Sequence, residues 1–165
     1  MTDQLTTIVP EGASAVARGV TRLFYRHDIM MMPEVTLRNN RRTDLMGIDA
    51  KGQIIVVEIK VARADLLGDN KWPEYLDYCD KFYWAVPAGD DAGQLVEPLA
   101  GEAFLPERTG LIIADAYDAE IARQAATHTL APARRKVETL RLSRLAMRRL
   151  TRVRDSDMEQ RNLDE

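Results

Sequence analysis

The sequence predicts a single mixed α/β domain, and three observations indicate it. The chain has 165 residues, 45% of them hydrophobic and 30% charged, which is enough to bury a core and ordinary for a globular protein. Its apolar patterns run in the order helix, three-strand meander, helices and strand, as in a sheet flanked by helices. The segment QIIVVEIK at 53–60 is rich in β-branched residues and almost continuously apolar, which predicts a buried central strand.

The first half of the chain is predicted to form one helix followed by three sequential strands. The helix covers 13–27, where apolar residues recur at helical spacing. The first strand, 29–37, contains Pro33, which marks an edge strand or a bulge. The second strand, 43–49, is joined to the central strand by a Lys-Gly turn that closes a hairpin.

The second half is predicted to alternate short helices with strands. Helices are predicted at 62–67 and 72–79, and a strand at 81–86. A loop with at most one short helix covers 88–107, and two further strands follow at 111–114 and 119–125. In the second helix an apolar stripe of Trp72, Tyr75, Leu76 and Cys79 predicts core packing and leaves Tyr78 outside it.

A basic segment closes the predicted fold. Residues 132–154 hold nine basic residues and one acid, whereas residues 1–131 hold 13 Lys+Arg against 20 Asp+Glu. We therefore expect a core at 1–131, a basic helix at 132–154 packed on it or extending it, and a disordered acidic tail at 155–165. The helix either binds DNA or is a surface helix with an apolar stripe on the core. The stripe would consist of Val137, Leu140, Leu145, Met147, Leu150 and Val153.

The composition excludes several classes of protein. A single cysteine excludes a disulfide framework and a Cys-rich zinc site. The two histidines, His27 and His128, are far apart in sequence, which argues against a histidine metal cluster. No apolar run reaches the ~18 residues of a membrane span, and the first residues do not resemble a signal peptide. We expect a cytoplasmic protein with no membrane partner.

The residues suited to chemistry lie on the second and third strands. Asp44 is followed, after thirteen residues, by Glu58-Ile59-Lys60. Side chains alternate along a strand, so Glu58 and Lys60 share one face and Ile59 points to the other. The hairpin brings Asp44 towards Glu58, and buried carboxylates are unfavourable unless they are paired or bind a metal. Two carboxylates suit Mg²⁺, and Lys60 could hold or deprotonate a water, although Glu58 and Lys60 alone could also form a structural ion pair.

This arrangement resembles the PD-(D/E)XK nuclease superfamily, which has an acid on the second strand and a (D/E)-x-K motif on the third. Asp44, Glu58 and Lys60 match that pattern, and Thr43 stands where the family has a proline that is not a ligand. The resemblance implies a restriction-endonuclease-like α/β fold. It also implies that Mg²⁺ or Mn²⁺ is held by Asp44, Glu58 and the backbone carbonyl of Ile59.

One feature of that superfamily is missing from this sequence. Many relatives carry a further Glu on the first helix, but the segment from Ala13 to His27 contains no acid. The role is therefore empty, or it is filled by Glu34 on the first strand or Glu11 before the helix.

A more specific resemblance covers nearly the whole chain. The combination of Glu-x-Lys with Lys-Trp-Pro-x-Tyr and Tyr-Cys-Asp is similar to the MmcB-like family of bacterial DNA repair proteins. The similar stretches are EVTLRNNRRTDLMGID, VVEIKVARADLLGDNKWPEYLDYCDKFYWAVP, GLIIAD and LAPARRK. This resemblance implies a role in the DNA damage response, and it leaves the biochemical activity open.

These observations predict a metal-dependent deoxyribonuclease of DNA repair. The alternatives are a catalytically silent module that binds DNA and recruits repair proteins, or an adaptor that retains only the fold. The expected substrate is damaged, branched or single-stranded DNA, and the oligomeric state, including a homodimer, is left open. Asp65, Asp69 and Lys71 either line the rim of the site or form a charge cluster of weak surface ion pairs at a helix turn. The residues expected to contact nucleic acid are Arg38, Arg41, Arg42, Lys71, Arg144 and Arg148.

Overall fold

Six strands form one mixed sheet whose spatial order follows the chain. The computed structural model describes residues 9–90, 92–155, 157 and 158. The strands are β1 Ile29–Thr36, β2 Arg42–Asp49, β3 Ile54–Ile59, β4 Lys81–Pro87, β5 Gly110–Ala114 and β6 Ala119–Arg123. Strands β1 to β3 form the predicted antiparallel meander. Strands β3, β4 and β5 are parallel, and β6 is antiparallel to β5.

Helices cover both faces of this sheet. The α-helices are α1 Gly12–Arg26, α2 Arg63–Gly68, α3 Ala92–Leu99 and α4 Pro132–Arg154, and two 3₁₀ helices span Trp72–Tyr78 and Glu102–Phe104. One apolar cluster joins α1 to the sheet through residues such as Val20 and Val57. A second, on the other face, joins both 3₁₀ helices, α3 and α4 to residues such as Trp84. The predicted α/β architecture is therefore confirmed.

The central position of β3 follows from its composition. Each of its six residues is buried, because β2 and β4 flank it and apolar layers cover both faces. Its final residues carry the predicted motif, so polar groups lie at the end of an otherwise apolar strand. None of the helices in the described part of the chain has the length and apolar character that a membrane crossing requires.

The segment Trp72–Tyr78 is a 3₁₀ helix, whereas its apolar spacing predicted an α-helix. A 3₁₀ helix has three residues per turn, so Trp72, Tyr75 and Tyr78 share one face. All three are buried, and Arg134 of α4 lies over the Tyr78 ring at 4.7 Å from its centroid. The expectation that Tyr78 would lie outside the packed stripe was therefore wrong.

The predicted loop at 88–107 contains more structure than expected. It holds α3 and the 3₁₀ helix Glu102–Phe104. Leu95, Leu99 and Phe104 from this segment are buried in the second cluster. The many Gly, Pro and acidic residues of this segment indicated a loop and outweighed its short amphipathic pattern in the prediction.

Of the apolar stripe predicted for α4, Leu145 packs against the core, whereas four members face outwards. Leu140, Met147, Leu150 and Val153 are 54–85% exposed, whereas Glu138 and Leu142 are buried. Polar bonds add to this packing: Arg141 donates to the Thr36 carbonyl at 2.7 Å, and Arg149 donates to the Glu34 carbonyl at 2.8 Å. These bonds satisfy backbone acceptors of the edge strand β1. The acidic tail expected to be disordered lies mostly outside the described residues.

Candidate active site

The two acids of the predicted motif meet on neighbouring strands. Asp44 of β2 and Glu58 of β3 lie opposite each other, one step beyond the paired residues Leu45 and Val57. The Asp44 amide donates to Glu58 Oε1 at 3.2 Å, and the Ile59 amide donates to Asp44 Oδ2 at 2.7 Å. Each carboxylate is therefore held by the backbone of the other's strand.

The motif residues divide between the two faces of the sheet as the strand pattern predicted. Ile59 packs in the apolar cluster beneath α1. Alternation along β3 places Glu58 and Lys60 on the opposite face, towards the 3₁₀ helix Trp72–Tyr78. Tyr75 of that helix adjoins the site: burial, together with the negative charges of Glu58 and Asp44, raises its pKa.

The carboxylate pair carries an unfavourable concentration of negative charge. Glu58 is 5% exposed, and burial, with the charge of Asp44 added, raises the pKa of Glu58 to about 8. Burial also raises the pKa of Asp44, against the opposing effect of the Ile59 amide. A bound cation would relieve both effects, so this pair of hard oxygen donors fits Mg²⁺ or Mn²⁺.

Lys60 lies at the end of β3 and is held by two acids. Its Nζ lies 2.8 Å from Asp69 Oδ2 and 3.5 Å from Asp65 Oδ2. Burial acts to lower the pKa of Lys60, but the hydrogen bond and charge of Asp69 outweigh it, and the pKa is raised. The ammonium group therefore stays charged at neutral pH.

Asp69 has a larger part in the site than the rim position predicted for it. Besides holding Lys60, it accepts hydrogen bonds from the Lys71 and Trp72 amides through Oδ1, each at 3.0 Å. It thus fixes the turn that precedes the 3₁₀ helix, and it also holds the lysine. Lys60, Asp65, Asp69 and Lys71 line an open cavity of about 410 Å³. An Asp whose side chain can accept from the backbone amides two and three residues further on is a turn signal that could have identified this role.

Neither candidate for the missing helix acid joins the pair in the described structure. Glu34 has a positive φ of 51°, and its exposed carboxylate lies 3.5 Å from the Arg42 guanidinium. Glu11 precedes α1, which packs on the opposite face of the sheet from Asp44. Among the described residues no group of three or more His, Cys, Asp or Glu side chains is arranged to hold a metal ion. The role predicted for Glu34 stays a prediction.

The basic residues expected to contact nucleic acid fall into two groups. Arg38, Arg41 and Arg42 lie at the β1–β2 turn, where Arg41 forms an ion pair with Glu74 at 2.6 Å. Lys71 lines the cavity beside Lys60. The second group, Arg144 and Arg148, lines a groove between α4 and β1. The structure therefore brings Arg42 near Asp44 and Lys71 near Lys60, and it places the α4 arginines one strand further out.

The Tyr-Cys-Asp motif contains a second buried acid that sequence reasoning did not assign. Asp80 accepts hydrogen bonds from the Ile54 amide at 2.7 Å and the Leu130 amide at 2.9 Å. Arg135 of α4 donates to both of its carboxylate oxygens, at 2.7 and 2.5 Å. Burial acts to raise the pKa of Asp80, but Arg135 and the amides outweigh it, and the pKa is lowered. This acid is structural and joins α4 to the sheet.

Comparisons with known proteins agree with this architecture. The chain is similar to the protein SPO1766 of unknown function from Silicibacter pomeroyi, whose solved structure gives a TM-score of 0.78 at 41% sequence identity. That match covers 94% of this chain and 99% of the other. No curated protein matches the chain. A family model described as DNA repair protein MmcB-like matches residues 3–157. Because that match spans nearly the whole length, the chain belongs to the MmcB-like family of DNA repair proteins.

Proposed function

We propose that the protein is a metal-dependent nuclease that hydrolyses phosphodiester bonds in DNA during repair. The observation that supports this most is the pair of the half-buried Asp44 and the buried Glu58, with the charged Lys60 beside it. The repair role comes from the family. The hydrolytic activity is the finer proposal, and it rests on the chemistry of this pair.

Each residue of the site has a distinct part in this proposal. Asp44, Glu58 and the backbone carbonyl of Ile59 would hold Mg²⁺ or Mn²⁺. When bound, such an ion lowers the pKa of a water and offsets negative charge on the phosphate. A lysine that stays charged is a poor base, so Lys60 would donate hydrogen bonds to the attacking water or the phosphate oxygens. Asp69 would keep the ammonium in place.

The grip on DNA would come from basic side chains around the site. Arg38 and Arg42 at the β1–β2 turn and Lys71 at the cavity would contact phosphates close to the scissile bond. Arg144 and Arg148 of α4 would contact phosphates further along the strand. Phosphate contacts position the nucleic acid without reading its sequence, which suits a repair protein that meets many sequences.

The test is a panel of single-stranded, nicked, flapped and branched DNAs incubated with Mg²⁺ or Mn²⁺. We expect the wild-type protein to cut at least one of them, and Lys60→Ala to lose about 10²-fold or more of the rate while still binding it. Lys51→Ala, at the β2–β3 turn, is the matched control and should cut at the wild-type rate. Equal cutting by wild type and Lys60→Ala would contradict the assignment.

A second candidate function is a catalytically silent module that binds DNA and recruits other repair proteins. The observation that favours it is the pair of carboxylates without a third acid in the described part of the chain. Binding by the wild type to a panel member, with no cutting of any of them in either metal, would select this candidate.

A further inference from the structure

A groove between β1 and α4 has features of a binding site of its own. It encloses about 390 Å³, which is in the range of small-molecule sites. Glu34, Val35 and Thr36 of β1 form one wall, and α4 forms the other. Val35 pairs with Thr43, the residue before Asp44. The groove therefore lies one strand away from the carboxylate pair, on the face of the sheet that α4 covers.

The groove contains a buried acceptor with unused capacity. Glu138 lines it and is 1% exposed. Its Oε2 accepts a hydrogen bond from Arg141 at 3.0 Å. Its Oε1 lies 4.0 Å from Arg134, beyond hydrogen-bond distance, and has no hydrogen-bond partner among the described residues. A buried carboxylate oxygen without a donor is unfavourable, so a ligand that brings an N–H group would be stabilised here.

The carboxylate can present this acceptor to the groove without a change in the helix. The terminal torsion of a glutamate side chain is broad, so a small rotation turns either oxygen towards the opening. Arg141 can hold the other oxygen, since the Thr36 carbonyl fixes its guanidinium at 2.7 Å. The Glu138 carboxylate is therefore held in place from both sides of the groove, by Arg141 of α4 and, through it, by the Thr36 carbonyl of β1.

Two cations at the mouth of the groove are free to bind a ligand. Arg144 and Arg148 are exposed, lie one helical turn apart and line the opening. Neither has an ion pair or hydrogen bond to any residue that the structure describes. Arg141 and Arg149, by contrast, are tied to the backbone of β1. The groove thus combines free positive charge outside with a free acceptor inside.

We propose that this groove holds one unpaired nucleotide of a single-stranded DNA. Arg144 and Arg148 contact its phosphates, and the base lies against Val35 and Leu142 with an N–H donated to Glu138. A paired base has already used the donors of its Watson–Crick edge, whereas a base in a single strand offers them. The inference rests on the proposed action on DNA and specifies a single-stranded segment as what the protein holds.

The test compares two strands that differ only in their bases. Fluorescence anisotropy in EDTA would measure binding of a labelled 12-nucleotide deoxycytidine strand and of an abasic strand with the same phosphates. We expect wild type to bind the cytosine strand about tenfold more tightly or better, and Glu138→Leu to lose that preference. Equal wild-type affinity for both strands would overturn the proposal.

A second variant avoids dependence on the folding of Glu138→Leu. Arg144→Ala/Arg148→Ala removes only exposed charges, and Lys136→Ala/Arg154→Ala removes two exposed charges of the same helix outside the groove. On the cytosine strand, the slope of log K against log salt should become shallower by up to about 1.4 in the groove variant. The control should keep the wild-type slope. Equal changes in both variants would sink the proposal.

The two proposals fail in different ways. Binding in EDTA does not require metal or cutting, so a protein without nuclease activity can still show the base preference. If the protein cuts DNA yet binds abasic and cytosine strands equally, the nuclease proposal stands and the proposal of a nucleotide in the groove is wrong.

Discussion

The protein holds buried or half-buried carboxylates at two places on the same sheet, and their surroundings are opposite. Asp80 receives two backbone amides and both arms of the Arg135 guanidinium, and its pKa is lowered. Asp44 and Glu58 receive one amide each, face each other, and have raised pKa values because of burial. The first acid is compensated within the described structure, and the second pair is not.

This difference separates a structural acid from a candidate functional site. Lys60 is close enough to compensate the pair, yet its ion pairs are with Asp69 and Asp65. An acid that is removed from water without a compensating positive charge lowers the stability of the fold. Acids of this kind are found most often in active sites. We infer that Asp80 stabilises the native protein and that the Asp44–Glu58 pair destabilises it until a cation binds.

The largest effect is expected from removing the compensated acid. Asp80→Ala leaves two buried amides without their acceptor and Arg135 with the Gly52 carbonyl alone, so the free energy of unfolding should fall by about 3–5 kcal/mol. Denaturant unfolding would measure this. Asp77→Ala, at an exposed neighbouring position, is the control and should change the free energy of unfolding by less than about 0.5 kcal/mol. Similar stability of the two variants would remove Asp80 from the structural role.

The uncompensated pair should make the metal-free protein less stable as the pH rises. Because the pKa of Glu58 rises from 4.5 to about 8 on folding, the folded state binds more protons between these values. The contribution of Glu58 to the stability of the folded state is greatest below about pH 4.5 and is lost as the pH passes 8. The free energy of unfolding of Glu58→Gln relative to wild type should therefore increase by roughly 2–4 kcal/mol as the pH rises from 5 to 9 in EDTA. A constant difference between the two unfolding free energies would contradict this.

A smaller effect is expected where Asp69 holds Lys60. Asp69→Asn keeps an oxygen for the Lys71 and Trp72 amides but removes the negative charge beside the ammonium. The pKa of Lys60 should then fall, because only the charges of Asp65 and Glu58 still oppose burial. We expect the cutting rate to fall by about tenfold, most strongly at alkaline pH. Asp65→Asn, at the longer 3.5 Å contact, should have a weaker effect. Equal losses in the two variants would show that Asp69 has no special part.

Most of the fold was predictable because apolar period and turn chemistry are local signals. The β-branched segment at 53–60 became the buried strand β3, and the hairpin register then placed Asp44 opposite Glu58. The α4 packing was not predictable in this way. Its sheet-facing residues include Glu138 and Arg149, whose polar contacts outweigh the apolar pattern, so Leu140 and Met147 face outwards.

The motif residues of the site were predictable from the sequence, whereas the contacts that surround them were not. Glu58 and Lys60 follow from strand alternation alone. The partner of Lys60 is set by the loop that carries Asp69, and the pairing of Asp80 with Arg135 joins positions 55 residues apart. No short-range pattern encodes contacts of that separation, because they depend on how the elements dock.

The central claim is that Asp44 and Glu58 together bind a divalent cation. Crystals soaked in Mn²⁺ and measured for anomalous scattering test it most directly. We predict one peak within ~2–2.3 Å of oxygens from both carboxylates, and none in crystals of Glu58→Gln soaked in the same way. A peak that lies only at Asp65 and Asp69, or a wild-type site without a peak at saturating Mn²⁺, would contradict the claim.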